Sequence, residues 1–397
     1  MPAPPETVRR RRLLALVALA ALAAVAGVAV GAGSGSGGDT PAGLESGSRT
    51  GFEENGQGGP SASPPLPLPV AVGQTLVFAF DGTAAPEYVH RRMRRGEGAG
   101  VILFGANVAG PAQLRRLTRG IQRSARGGAL IATDQEGGEI RNLPFAGPAE
   151  AQSATATVAA ARAAATTAAR ALAAHGLNVN LAPVADVQPA VGGGALAGRL
   201  YPGGPDAVAE LTAASVRAHE REGVAATVKH YPGLGRATVN TDFGSTTVDA
   251  TRAEIEAGDL APYRAAIAAS APVVMSGHAL YPAYDPDRIA SQSPVLMTDI
   301  LRGQLGFEGV AMTDSIEAQA VLDRSDVATA AVRSIAAGND IVLMTGSGSW
   351  NLVYPRLLRR ARRDPDFRAR IREAADRVAA LKRRLGLRPR PDAADSR

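Results

Sequence analysis

Between Val70 and Leu387 short apolar runs recur, and their number limits the fold more than any other feature of the chain. They are "TLVFAF" (75–80), "GVILF" (100–104), "ALIAT" (129–133), "NVNLAP" (178–183), "VAATVKH" (224–230), "PVVMSGH" (272–278), "GVAMT" (309–313) and "DIVLM" (340–344). Continuous apolar runs suit strands buried on both faces, as in a parallel sheet. Ala- and Arg-rich stretches with helical periodicity separate them, such as 149–175 and 205–222. Eight strand–helix units in about 300 residues match an α/β fold of the (β/α)8 TIM barrel type. A doubly wound open sheet is the alternative on pattern alone. No glycine-rich phosphate fingerprint follows the first strand, which weakens a dinucleotide reading.

The flanks have a different composition. Arg9 to Arg12 precede an apolar run from Leu13 to about Ala32, the order of an export signal. The run is also long enough to span a bilayer. Residues 1–32 therefore read as a signal peptide, with Val30 and Ala32 serving a peptidase, or as an uncleaved membrane anchor. Both place the bulk of the chain outside the cytoplasm. Residues 33–69, with "GSGSGG" and "SASPPLPLP", read as a disordered linker, and 388–397 as a tail. The net charge is +6, and the four arginines less Glu6 put +3 of it in the first 32 residues. The remaining charge is too small and too dispersed to argue for nucleic acid. The chain has no cysteine, which excludes disulfides, thiolate metal sites and a lipid-modified cysteine.

Chemistry in a barrel sits at the C-terminal ends of the strands. Here those ends are polar. Asp134 follows "ALIAT", Asp186 follows "NLAPVA", Lys229 and His230 end "VAATVKH", His278 ends "VVMSGH", and Asp314 follows "GVAMT". Any one aspartate could be a helix cap. Five strands ending this way on one rim describe a polar pocket. No G-x-S-x-G is present for a serine nucleophile. The five histidines are scattered, with no H-E-x-x-H, so no metal site is indicated. Carboxylates among Lys, Arg and His fit sugar recognition, and a glycosidase needs one carboxylate as nucleophile and a second group as acid and base.

The stretch "VAATVKHYPGLGRATVNTDFG" (224–244) resembles the K-H-F-P-G-H-G-x4-D-S-H signature of family 3 bacterial β-N-acetylhexosaminidases. "GQTLVFAFDG" (73–82), "DQEGG" (134–138), "LNVNLAPVADV" (177–187), "SGHALYPAYD" (276–285) and "LRGQLGFEGVAMTD" (301–314) are similar to that family in order and spacing. The resemblance covers residues 70–387 as one catalytic barrel and leaves no room for a second α/β sandwich domain. It implies Asp314 as nucleophile. It implies substrate contacts from Asp134, Arg199 (in "AGRLYPGG"), Lys229, His230 and the rim histidine His278, for which a buried, hydrogen-bonded place is the alternative. It implies no cofactor.

One segment departs from the family. The loop after the fifth strand ordinarily supplies an Asp–His pair as acid and base. An ungapped alignment from Lys229 puts Asn240 at that aspartate, Asp242 at that histidine, and Leu234 at the signature's first histidine. Asp242 offers a carboxyl for acid/base duty if the site raises its pKa, although "NTD" also reads as a turn. Gly233, Gly235 and Gly244 would permit the mobility of the family's loop. The expectation is a retaining β-glycosidase, a monomer, acting on a carbohydrate with terminal β-linked N-acetylglucosamine, as in peptidoglycan fragments. The alternatives are a β-glucosidase or β-xylosidase, or a sugar-binding protein with impaired acid/base machinery.

Overall fold

The computed structural model describes residues 66–189 and 194–387. The expected signal or anchor, the tail, and the linker up to residue 65 lie outside the described residues. Among the described residues no helix is long and apolar enough to cross a membrane.

Each of the eight apolar runs forms a strand: β1 Leu76–Phe78, β2 Gly100–Ile102, β3 Leu130–Thr133, β4 Val179–Asn180, β5 Ala225–Tyr231, β6 Val273–Ser276, β7 Val310–Ser315 and β8 Ile341–Met344. They pair in parallel in chain order, and β1 closes on β8 with Leu76 opposite Val342 and Phe78 opposite Met344. The sheet is a closed TIM barrel, which disposes of the open-sheet alternative. Neighbouring residues of a strand point to opposite faces. Val77, Ala132, Val273, Met312 and Leu343 accordingly pack in one cluster within the barrel, while Phe78, Ile131, Val342 and Met344 pack outward with the helices. Truncating one such residue to alanine costs about 2–5 kcal/mol. β2 approaches β3 so closely that a Cβ on Gly100 would stand 1.9 Å from the Leu130 carbonyl oxygen, so only glycine fits.

Caps set the helix ends. Within the Ala-rich stretch 149–175 the helix runs only over Val158–Ala174, because the Thr157 hydroxyl accepts the Ala160 N–H and starts it there. Asp326 caps Val327–Ala337, which stops at Gly338 with φ 123°. Among the described residues the first helix, Leu68–Gly73, begins two residues before Val70. The "PLPLP" that reads as linker ends in proline at a helix N-terminus, where its missing N–H costs nothing.

Helix Pro365–Arg384 folds across the N-terminal ends of the strands. Val378 and Leu381 join the barrel cluster, Arg370 pairs with Asp340 just before β8, and Arg384 donates to the Ser270 carbonyl just before β6 at 2.8 Å. The polar end of the barrel is therefore the opposite one.

Candidate active site

Five strand ends and two loops build the polar rim. Lys229, on β5, extends its ammonium to Asp134 Oδ1 at 2.6 Å and to Glu136 Oε1 at 2.7 Å. Arg199 grips Glu136 with two bonds, Nε to Oε2 at 2.9 Å and Nη2 to Oε1 at 2.8 Å, the bidentate fork that guanidinium geometry favours. Burial opposes charge on Glu136, but Lys229 and Arg199 outweigh it and hold the carboxyl at about 2. Burial likewise disfavours the Lys229 ammonium, yet Asp134 and Glu136 keep its pKa above the ordinary value.

His230 is held from behind. Its Nδ1 lies 2.7 Å from Asp186 Oδ2, and the same carboxylate accepts the His230 and Leu234 backbone N–H groups. A carboxylate only accepts, so Nδ1 carries a proton. The ring's other nitrogen faces Asp314 Oδ2 at 3.9 Å. Asp314, at the end of β7, accepts the Ser315 N–H on Oδ1 at 2.7 Å. Burial would raise the Asp314 pKa, but His230, His278 and Lys229 outweigh it and hold the carboxyl below its usual range. His278 is fully buried, with Nδ1 at 2.8 Å from Ser291 Oγ and Nε2 at 2.9 Å from the Ser315 carbonyl oxygen. Both ring nitrogens are engaged inside the protein, so His278 braces the backbone beside Asp314 and presents no free donor to a ligand.

Asp242 reaches the same rim from the loop after β5. Its backbone carbonyl accepts from Gln319 N at 3.3 Å, and that of Thr241 from Ala320 N at 3.1 Å, tying the loop to the segment after β7. Crowding by the surrounding walls, and then the Asp314 carboxylate, push the Asp242 carboxyl up to about 6, against the pull of His230 and Arg199. The side chain nevertheless opens to solvent on one side. Asp242 N also bonds to Asn240 Oδ1 at 2.9 Å, the turn geometry that "NTD" suggests.

The glycines of this loop do not act as hinges throughout. A Cβ on Gly235 would stand 2.0 Å from the Val187 carbonyl oxygen, and Leu234 is buried at 1% exposure. Gly235 is there for close packing. The leucine in place of the signature's histidine anchors the loop on Asp186. Only the stretch around Val239 and Phe243 is exposed.

One residue of the cluster, Glu136, was not singled out from the sequence, and Asp186, placed on the rim there, was given no role. Glu136 stands two residues after Asp134, the spacing that puts two side chains on one side of an extended segment. Asp186 interrupts the apolar "LAPVADV", and a polar residue buried at 0% exposure needs partners. Among the described residues no group of His and carboxylates could hold a metal ion.

A closed barrel with paired carboxylates on its C-terminal rim belongs to the architecture of O-glycosyl hydrolases, and sequence comparison narrows the class. The chain belongs to glycosyl hydrolase family 3: the model of the family's N-terminal domain matches residues 80–381. It is 32% identical to an uncharacterized secreted glycosyl hydrolase of Arthroderma benhamiae, over 82% of this chain and 96% of that one. It is 36% identical to the beta-hexosaminidase of Stenotrophomonas maltophilia K279a, over 62% of this chain and 76% of that one. Among solved structures it resembles a family 3 beta-N-acetylglucosaminidase from Paenibacillus sp. FPU-7, with TM-score 0.78 and 32% identity over 83% of this chain. The chain spans 64% of the length of that enzyme. It also resembles the beta-N-acetylhexosaminidase of Beutenbergia cavernae, with TM-score 0.70 and 35% identity, over 80% of this chain and 98% of that one. The chain is a family 3 hydrolase related to beta-hexosaminidases that act on β-linked sugars.

Proposed function

We propose that this protein is a retaining β-N-acetylglucosaminidase that works outside the cytoplasmic membrane on peptidoglycan-type fragments. The observation that carries the mechanism is the meeting of two carboxyls on one rim: Asp314 keeps Oδ2 outside hydrogen-bond reach of His230, and the loop bearing Asp242 is tied to the segment after β7. In keeping with this, Asp314 is held below its usual range and Asp242 is pushed up to about 6. Environments that separate two carboxyl pKa values assign one as base or nucleophile and the other as acid. Asp314 Oδ2 attacks the anomeric carbon as the bond to the leaving oxygen breaks, and Asp242 gives its proton to that oxygen. A water then attacks the anomeric carbon, Asp242 takes its proton, and Asp314 is released. Asp134, Arg199, Lys229 and His230 bind the sugar. His278 acts through the backbone at Ser315, as a positioning residue for Asp314. The choice of sugar follows the Paenibacillus, Beutenbergia and Stenotrophomonas relatives. The compartment follows the N-terminal segment and the relative named as secreted.

A second reading rests on Asn240 and Asp242 standing where the family carries its acid/base pair: a sugar-binding protein with little turnover. One experiment separates these. The protein is treated with an activated 2-deoxy-2-fluoro glucoside and an activated 5-fluoro analogue of the 2-acetamido series, alongside a panel of nitrophenyl glycosides. The proposal expects a covalent glycosyl adduct on the peptide containing Asp314, and the fastest release from nitrophenyl N-acetylglucosaminide. Adducts and turnover with glucoside or xyloside alone would move the specificity to a β-glucosidase or β-xylosidase. Binding without any adduct would make the protein a binder.

A further inference from the structure

Helix Ser349–Arg363 contains five arginines and no acidic residue. Leu352, Arg356, Arg359 and Arg363 recur at intervals of four, three and four, which lines them up on one face of the helix. All four are exposed, and Leu352, at 59%, is the most exposed large apolar side chain among the described residues. Val353 and Leu357, on the opposite face, are fully buried. The three arginines, with Arg360, Val332, Asp364 and Pro365, line a groove of about 480 Å³ on the outer wall of the barrel. Its one carboxylate, Asp364, is taken by Arg360 at 2.6 Å. Arg356, Arg359 and Arg363 make no ion pair among the described residues. Some exposed arginines elsewhere are compensated: Arg170 pairs with Glu222, Arg94 with Glu87, and Arg384 with Glu220.

We propose that this stripe docks the barrel onto an anionic phospholipid membrane. Uncompensated arginines in a row attract a negatively charged leaflet. The exposed leucine on the same stripe favours a lipid surface over a soluble phosphate, because it gains only where it can leave water. The path of the chain gives a third argument. Tyr354, on this helix, donates its hydroxyl to the Pro69 carbonyl at 3.2 Å, and Arg372 donates to the Leu66 carbonyl at 3.4 Å. The segment that arrives from the N-terminal spacer thus meets the barrel beside the basic helix. The sequence upstream holds the apolar run Leu13–Ala32. Thirty-three residues separate that run from Leu66, so a barrel anchored by it would stay close to the bilayer and even a weak surface would dock. The helix lies along the barrel wall, so docking would turn the active-site rim sideways along the membrane, toward a polymer lying over it.

Because the chain lacks cysteine, Leu352→Cys offers a single site for a polarity-sensitive dye. The full-length labelled protein is reconstituted into phosphatidylcholine vesicles with and without phosphatidylglycerol. A blue shift that needs phosphatidylglycerol and is reversed by salt is the expected result. In the same protein, Arg356→Glu, Arg359→Glu and Arg363→Glu together lower the ratio of docked to undocked protein by at least roughly 100-fold, at about fivefold per arginine. Its melting temperature and its hydrolysis of an aryl glycoside report whether the fold is intact, and the salt titration of the labelled parent needs no charge reversal at all. Three results each overturn the proposal: no shift on anionic vesicles, an equal shift on neutral ones, or a shift produced by a soluble anionic polymer that vesicles fail to compete away.

Discussion

The chain holds only two lysines, and the fold buries both, one at each end of the barrel. Lys229, 3% exposed, meets the carboxylates of Asp134 and Glu136, and its pKa rises. Lys382, 7% exposed, meets only the neutral Gln74 Oε1 at 2.6 Å, and burial pulls its pKa down to about 7. The aspartates repeat the contrast. Asp340, beneath β8, is fully buried and shared among Arg302, Arg370 and Arg377. Asp314 keeps one oxygen outside hydrogen-bond reach of His230. Buried charge is therefore common to both ends. The candidate active end differs in leaving a carboxylate oxygen unengaged beside a polar rim, whereas at the other end the buried carboxylate is fully shared and the unmatched charge is an ammonium.

The largest expected effect tests the unengaged oxygen. Asp314→Asn should lower kcat on activated aryl glycosides by about 10⁴-fold or more, since loss of a group acting in a unit is rarely compensated. Asp340→Asn, at the other end, should leave kcat near the parent value in whatever protein folds, and lower the melting temperature instead. Parent-like activity in Asp314→Asn would erase the distinction between the two ends.

Next in size comes Asp242. As an acid it works while protonated, so kcat/KM should fall as pH rises through about 6. The limb belongs to the Asp242–Asp314 pair, because the two carboxyls repel. Asp242→Ala should slow hydrolysis of poor leaving groups by about 10²–10⁴-fold and of activated aryl glycosides far less. Azide should restore part of the rate by attacking the glycosyl-enzyme without a base. A uniform loss across leaving groups, with no azide rescue, would leave Asp242 a turn residue and shift the acid role elsewhere.

Much of this was legible in the sequence, for specific reasons. Strands buried on both faces produce apolar runs, and all eight runs became strands at the expected places. The rim positions of Asp134, Lys229, His230 and Asp314 follow from the same rule, since polar residues end those runs. Glu136 and the role of Asp186 were harder to read, because their partners Arg199, Lys229 and His230 lie 63, 93 and 44 residues away in sequence and only barrel closure brings them together. The closure of the barrel floor by Pro365–Arg384 was equally hidden. Its helical period says that one face is buried and leaves open what it is buried against.

The two lysines offer the third test. Lys229→Met leaves Asp134 without its ammonium and Glu136 with Arg199 alone. Removing one partner of a buried pair costs about 3–5 kcal/mol, which should appear as a lower denaturation midpoint together with a raised KM for the sugar. Stability unchanged by the substitution would mean that Arg199 suffices and that Lys229 is held there for the ligand.

Lys382→Met should have the smallest effect and the opposite sign. The methionine has a similar length and no charge to desolvate, and Gln74, which is partly exposed, can turn to water. The gain expected near neutral pH is about 1–2 kcal/mol, in line with replacing a poorly compensated buried charge by an apolar side chain. The pH dependence fixes the interpretation. The folded-state pKa of Lys382, about 7, lies below the ordinary lysine value of 10.5. Between those values the unfolded chain binds more protons, so the parent protein should gain stability as pH rises through that window. The penalty is fully present below about 7 and vanishes above the unfolded pKa. Lys382→Met should remove that slope, so its advantage over the parent shrinks toward alkaline pH. Denaturation midpoints of both proteins across this range measure the slope directly. An advantage that stays constant with pH would mean that Lys382 is charged throughout, with solvent or Gln74 carrying its ammonium. The floor of the barrel would then tolerate charge as the rim does, and the contrast between the two ends would rest on Asp314 and Asp242 alone.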